Sequence, residues 1–218
     1  MEYMLFPSNS TGTIAAFTTD ENALRRVRYL LALSENLVTK STQLKGLWEA
    51  NKDAFIGALE NGISGSQNQV INAMVTLIEE IIISKLGNPL GDSNGGNIEP
   101  ERLEAHRSEI SKDIIQQHLY ALQRCYKGDF AETPFRVGFD DFLVLIGSED
   151  FSAKISDQFA LCQKQLDAVP GSLENELMVN ADGVVDLKNS FRDLLVLIKV
   201  DMANVLGSTI TFNDNDGD

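Results

Sequence analysis

The chain has 218 residues, of which 18 are Lys or Arg and 32 are Asp or Glu, so its formal net charge is −14 at pH 7. This length allows one large domain or two small ones, each able to bury a core of its own. A strongly negative field repels phosphate backbones and anionic headgroups, which excludes nucleic acid as an expected partner.

The first residues of the sequence form an apolar and aromatic run, MEYMLF, around a single carboxylate, Glu2. They lack the basic and then apolar pattern of a signal peptide, and no stretch approaches the roughly 20 apolar residues of a membrane-spanning helix. We therefore expect neither an export signal nor a transmembrane segment in this sequence. Burying Glu2 would require a metal, a cation or a hydrogen-bond donor beside it, and the alternative is a frayed residue that faces water.

A first long helix is predicted from Thr18 to about Ala50. Its start is indicated by Thr18-x-x-Glu21, which has the spacing of a capping box. A shorter helix through Phe55 and Leu59 should follow and end at the sequence NGISG. Apolar residues recur along the long helix at helical spacing and should form its buried stripe: Leu24, Val27, Leu31, Leu37 or Val38, Leu44 and Trp48.

Four more long helical patterns follow, and the sequence GFDDFLVLIG between them predicts a short buried helix or turn. The predicted bounds are Ser66 to Gly87, Pro100 to Lys127, Phe151 to Val169, and Leu187 to Val205. The pattern that begins at Pro100 predicts the following inward residues: Leu103, Ile110, Ile114, Ala121 and Cys125.

Five long amphipathic helices, joined by loops that contain Gly or Pro, predict an all-α helical bundle. Strand-like alternation is confined to the short sequence STITF near the end of the chain. We expect residues 1–218 to form a single helical domain that ends in an acidic tail at residues 208–218. The alternating Asp214, Asp216 and Asp218 of this tail do not fit the register of an EF-hand loop, which favours a flexible tail over a calcium site.

Few side chains in the sequence are typical of catalysis or metal binding. The sequence contains no HExxH, GxSxG or P-loop motif. His118 is predicted on or beside an inward helix face, where a hydrogen-bonded core-edge imidazole is favoured over a metal ligand. His106 lies in the charged run EAHRSE and is expected at the surface. Cys125 and Cys162 lack CxxC spacing and are best interpreted as buried thiols, although one disulfide remains open.

The opening run, Met1 to Phe6, resembles the end of the GxHxxE motif of the imelysin family, in which an aromatic and apolar run follows the glutamate. Glu2 matches that glutamate, so we expect the chain to start inside the motif, after its Gly and His. Similarity to family sequences covers essentially the whole chain in the same order, through four further runs: RRVRYLLALSENLVTKSTQLKGLWEA, KLGNPL, LEAHRSEISKDIIQQHLYALQRCYKG and LGSTITFNDNDGD.

The resemblance implies an all-α fold of two bundles, of which this chain would contain mostly the C-terminal bundle and part of the first. Family members are exported, often as periplasmic proteins or lipoproteins, and many are iron-regulated or linked to iron uptake. A periplasmic or outer-membrane-anchored location is therefore implied. So is a metal site, for iron or zinc in a complete form, with Glu2 as a ligand and His118 and Glu104 as further candidates. Because one carboxylate gives too few ligands, we expect this chain alone to be catalytically inert.

Three functions follow from the sequence and the resemblance. The leading hypothesis is a non-enzymatic binding protein of the bacterial cell envelope, related to iron or metal uptake. One alternative is an imelysin-type metallopeptidase in which the motif supplies a ligand and a base. The other is a structural or partner-binding bundle whose site has been lost. Apolar area left by missing helices would also favour a homodimer.

Overall fold

A computed structural model of the chain describes residues 1–6, 10–60, 62–130 and 136–211, with the backbone alone at residues 10 and 11. All regular structure in these ranges is helical, which confirms the prediction of an all-α fold. The chain divides into two compact units, Met1–Ala58 and Leu59–Asp218. Asp214, Asp216 and Asp218, for which the sequence predicts a flexible tail, lie outside the described residues.

The first unit contains helices α1, Glu2–Leu5, α2, Ser10–Thr18, and α3, Ala23–Gly57. The turn between α2 and α3 is fixed by Arg26, which forms an ion pair of 2.8 Å with Asp20. The same side chain donates a hydrogen bond of 3.0 Å to the carbonyl of Ala16 in α2. A backbone hydrogen bond from Asn22 and the adjacent guanidinium lower the pKa of the Asp20 carboxyl.

Three predictions for this unit are wrong. Thr18 ends α2 instead of capping α3, because its hydroxyl donates to the carbonyl of Ile14. The predicted break before Phe55 is absent, since α3 continues to Gly57. The stripe along α3 is not buried, and its members include Leu24 at 61% and Leu44 at 70% exposure. Periodicity identified the apolar face correctly, but it cannot show whether another element covers that face.

The second unit is built on a long antiparallel pair of helical segments. The first segment consists of α4, Ser66–Glu80, a π-helix, Ile81–Gly87, and α5, Asn88–Leu90. It starts where predicted but continues past Gly87 and ends at Gly91, whose φ of 86° is favourable only for glycine. The other segment consists of α10, Ala181–Val196, a second π-helix, Leu197–Met202, and α11, Ala203–Val205.

Shorter elements connect and cover this pair. They are a 3-10 turn, Pro100–Arg102, and helices α6, Ser111–Lys127, α7, Phe139–Leu145, α8, Glu149–Ala168, and α9, Leu173–Val179. The predicted helix that begins at Pro100 is therefore wrong in its first half, where turns replace it up to Ile110. Its inward face is also shifted by about one residue: Ile110 is 45% exposed, whereas Ile115, Leu119 and Leu122 are buried.

The core of the second unit follows the sequence pattern closely along α8 and α10. Within the predicted helices Phe151 to Val169 and Leu187 to Val205, the residues buried at helical spacing include Ile155, Phe159, Cys162, Leu166, Leu187, Phe191, Leu194, Ile198 and Met202. Helix α7 is present as predicted, but Leu143 is its only buried residue. Helix α9 was not predicted, because seven residues give too short a pattern to recognise.

The segment after α11 is held by amide side chains of α4. Asn68 is 4% exposed. Its carbonyl oxygen accepts a hydrogen bond of 2.6 Å from the backbone N–H of Thr209, and its amide donates one of 2.8 Å to the carbonyl of Thr209. Asn72 makes equivalent bonds to Thr209 and Thr211. The described part of the STITF sequence, residues 208–211, therefore hydrogen-bonds to side chains of α4.

Replacing Asn68 with alanine is expected to lower the free energy of unfolding by about 1–3 kcal/mol, because the backbone N–H of Thr209 loses its acceptor and a buried side chain is removed. Urea unfolding monitored by circular dichroism measures the effect. Asn72→Ala is the matched control and should cost less, because Asn72 is only partly buried and water can replace its amide. Equal losses in the two variants would contradict this assignment.

Candidate functional site

Three lysines of the second unit form cross-element ion pairs around the antiparallel helices. Lys188 in α10 contacts both carboxylate oxygens of Asp92, at 2.7 and 2.8 Å. Lys199 in the second π-helix contacts Glu79 at 2.7 Å. Lys85 in the first π-helix contacts two carboxylates. The surroundings of Lys85 include Glu104 and His118, the two candidate ligands that the sequence analysis placed in what is now the second unit.

We define the Lys85 cluster as Glu80, Lys85, Glu104 and His118. Lys85 is 4% exposed. Its ammonium lies 3.0 Å from Glu80 Oε1 and also donates a hydrogen bond to Glu104 Oε2. Both carboxylates are about half exposed, with side-chain exposures of 48% and 47%. The cluster is therefore a buried cation with two carboxylates that reach solvent.

The π-helix explains why Lys85 and Glu80 meet. Residues five apart in an ordinary α-helix are about 140° apart around its axis, so these two side chains would diverge. A π-helix closes its hydrogen bonds between residues five apart, which stacks such residues on successive turns. The local change in helix type therefore brings Lys85 above Glu80 and aims the ammonium at the turn that contains Glu104.

His118, the fourth member of the cluster, belongs to α6 and is half-buried. Burial lowers the pKa of His118, and the charge of Lys85 lowers it further, while Glu104 and Glu80 act in the opposite direction. Its Nδ1 atom is buried and has no hydrogen-bond partner. Because its pKa is lowered, the imidazole is mainly neutral at pH 7.

Burial alone would lower the pKa of Lys85, but its hydrogen bonds to Glu104 and Glu80 and their charges outweigh that effect and raise the pKa. Lys85 therefore stays charged throughout the physiological range. Sequence reasoning missed both Lys85 and Glu80, because an α-helical pattern does not place them together. One signal was present: Lys85 opens the KLGNPL run and is separated from an apolar stretch by only Ser84.

The remaining candidates lie elsewhere. Glu2 is half-buried in α1 of the first unit, whereas His118 and Glu104 lie in the second. His106 follows the 3-10 turn, and its Nδ1 atom is also buried without a partner. Cys125 and Cys162 are free thiols, as their spacing favoured. Burial raises the pKa of both, to about 11 for Cys162, so neither is poised as a nucleophile at neutral pH.

A resident metal does not fit the Lys85 cluster as it stands. Across the part of the chain that the structure describes, no three or more His, Cys, Asp or Glu side chains group closely enough to hold a metal ion. In the cluster itself, the Lys85 ammonium already takes the position of a cation between the two carboxylates. A metal would have to replace Lys85 at Glu104 and use the lone pair of His118.

The lowered pKa of His118 predicts a pH dependence of stability. Its proton binds more readily in the unfolded chain, whose pKa is near 6.5, than in the folded chain. The stability that the neutral His118 contributes is fully present at pH values above the pKa of the unfolded chain. It is lost as the pH falls towards the lower pKa of the folded chain. The wild type should therefore lose more stability between about pH 7.5 and 5.5 than His118→Gln in urea unfolding.

No helix in the described residues is both long enough and apolar enough to cross a bilayer. A model of the imelysin family, whose name classes it among the peptidases, matches residues 1–199 of the chain. Comparisons with curated proteins and with solved structures gave no match. The family match includes both units and all four residues of the Lys85 cluster.

Proposed function

Because this chain belongs to the imelysin family, we propose that it is a non-enzymatic binding component of the bacterial cell envelope that takes part in the uptake of iron or another metal. A periplasmic or outer-membrane-anchored location is part of this proposal and rests on the family resemblance. The metal is treated as cargo that is bound and released, and not as a resident cofactor.

The observation that carries the proposal is the environment of His118, whose Nδ1 atom is buried without a hydrogen-bond partner and whose imidazole feels the charges of Lys85, Glu104 and Glu80. A histidine must be neutral to bind a metal ion, and the lowered pKa of His118 keeps its imidazole neutral at pH 7. Glu104 and Glu80 supply oxygen donors that reach solvent. Lys85 competes for the same oxygens, so binding is an exchange of cations, which suits reversible cargo binding.

The arrangement supports catalysis less well. Glu104 already accepts a charge-assisted hydrogen bond from Lys85, which occupies one of its oxygens. Both thiols have raised pKa values.

Calorimetric titration with ferrous, ferric and zinc ions tests the proposal. We expect the wild type to bind at least one of these ions, and His118→Gln to weaken that binding by 10-fold or more, about the loss of one good ligand. Glu104→Gln should also weaken it. His106→Gln is the matched control and should leave the affinity unchanged. Absence of binding, or equal affinity in His118→Gln, would contradict the proposal.

The metallopeptidase alternative gives a different result. If the chain cleaved a protein substrate in a way that a chelator abolished, the non-enzymatic part of the proposal would be wrong. Glu2→Ala would then show whether the residue that matches the family glutamate takes part in that cleavage. Unchanged activity in Glu2→Ala would exclude its role as ligand or base.

A further inference from the structure

The Lys85 cluster contains more negative charge than its ammonium neutralises. Lys85 contacts one oxygen of each carboxylate, Oε1 of Glu80 and Oε2 of Glu104. Two carboxylates therefore face a single ammonium, which leaves negative charge in excess. Both carboxylates are about half exposed, whereas Lys85 is buried. The ammonium is thus shielded from solvent, while the carboxylates that hold it can be reached from solvent.

The ammonium takes the place that a metal ion would take between the same two side chains. Carboxylate oxygens hold a lysine through charge-assisted hydrogen bonds and a metal ion by coordination, so one pair of carboxylates can serve either cation. Lys85 is attached to the chain, which gives it a high effective concentration at the cluster. A cation from solvent must therefore compete with one that is already present.

We propose that Lys85 is a built-in competitor that regulates metal binding at the cluster. It neutralises Glu80 and Glu104 while no metal is bound, and it lowers the affinity because the metal must displace it. This role rests on the proposed function, to which it adds the residue that sets the affinity and favours release of the cargo.

The charge of Lys85 fixes the direction of the expected effect. A dication that approaches Glu80 and Glu104 is repelled by the ammonium. Without the ammonium, the two carboxylates repel each other and attract the dication more strongly. A lysine that only positioned the carboxylates would have the opposite effect, since its loss would weaken binding. The change of metal affinity on removing the charge therefore distinguishes a competitor from a positioning residue.

Lys188 in α10 provides a matched control. It is as buried as Lys85, at 4% exposure, and its ammonium contacts both oxygens of Asp92, at 2.7 and 2.8 Å. The side chain of Asp92 is 42% exposed, which is close to the exposure of the carboxylates around Lys85. Lys188 thus forms the same kind of ion pair but does not belong to the Lys85 cluster.

Calorimetric titration of Lys85→Met and Lys188→Met with ferrous, ferric and zinc ions tests the regulatory role of Lys85. Methionine keeps an unbranched apolar stem and removes the charge. We expect Lys85→Met to bind at least about 10-fold more tightly than the wild type, and Lys188→Met to bind as the wild type does.

The outcomes separate this role from the proposed function. Equal or weaker binding in Lys85→Met, or equal tightening in Lys188→Met, would overturn the role of Lys85 while the wild type still bound metal. Binding by Lys85→Met alone would support the role of Lys85 and contradict the proposed function. Absence of binding in both Lys85→Met and the wild type would contradict both.

A second measurement uses the wild type and does not depend on the folding of a variant. Nitrogen-15 NMR of lysine side chains follows the ammonium groups, and the ring signals of His118 report whether zinc has bound. Zinc should shift or remove the Nζ signal of Lys85 and leave that of Lys188 unchanged. A response of His118 with an unchanged Lys85 signal would overturn the role of Lys85 alone. No response of either residue would contradict the proposed function as well.

Discussion

Replacing Lys85 with alanine is expected to lower the free energy of unfolding of the second unit by about 2–4 kcal/mol. Removing one partner of a buried ion pair costs up to about 5 kcal/mol, and the half-exposed carboxylates of Glu80 and Glu104 reduce that loss because water can solvate them. The buried methylene stem of Lys85 adds a packing loss. Hydrogen exchange of α4 and α10 amides measures the change within this unit.

Two further variants separate the causes of that loss. Lys85→Met keeps most of the buried stem and removes only the charge, so it should recover part of the stability lost in Lys85→Ala. Lys154→Ala removes an exposed lysine from α8 and should change stability by less than about 0.5 kcal/mol. If Lys85→Ala cost no more than Lys154→Ala, the Lys85 cluster would have no structural role.

Replacing Phe191 with alanine should have the largest effect of any substitution considered, about 3–5 kcal/mol. Phe191 in α10 is 0% exposed and belongs to the core cluster of the second unit. The cavity left by its ring would remove contacts from several helices at once. Because a domain of this kind has only about 5–15 kcal/mol of stability, much of the second unit should unfold at temperatures that the wild type tolerates.

The matched control for Phe191 lies on the same helix. Val196 is 52% exposed, and Val196→Ala should change stability by less than about 0.5 kcal/mol. Thermal unfolding followed by circular dichroism compares the two. A small effect of Phe191→Ala would mean that α10 is not the centre of the core.

Sequence periodicity predicted the fold and much of the core because burial in the second unit follows α-helical spacing. Along α10, Leu187, Phe191 and Leu194 face inward as the pattern indicates. Gly128 ends α6 as predicted, since its φ of 63° is unfavourable for other residues. Helical periodicity is a property of a single helix, so it can be read directly from the sequence without knowing which other helix packs against it.

Predictions failed where the outcome depends on a second element or on a change of helix type. The stripe through Leu44 has the pattern of a buried face, yet exposure depends on what packs against it. Lys85 and Glu80 meet only because the helix between them is a π-helix, whose period differs from the one assumed. The sequence gives no geometric reason to bring His118 and Glu104 together. In the structure Lys85 donates a hydrogen bond to Glu104, and its charge lowers the pKa of His118.

Binding of a metal ion to the Lys85 cluster through His118 is tested most directly by anomalous diffraction from crystals of the chain grown with zinc. We expect a peak about 2.0–2.1 Å from Nδ1 of His118, with a carboxylate oxygen of Glu104 or Glu80 as a second ligand and the Lys85 ammonium displaced. A peak bound only to other residues, or no peak at a saturating zinc concentration, would contradict it.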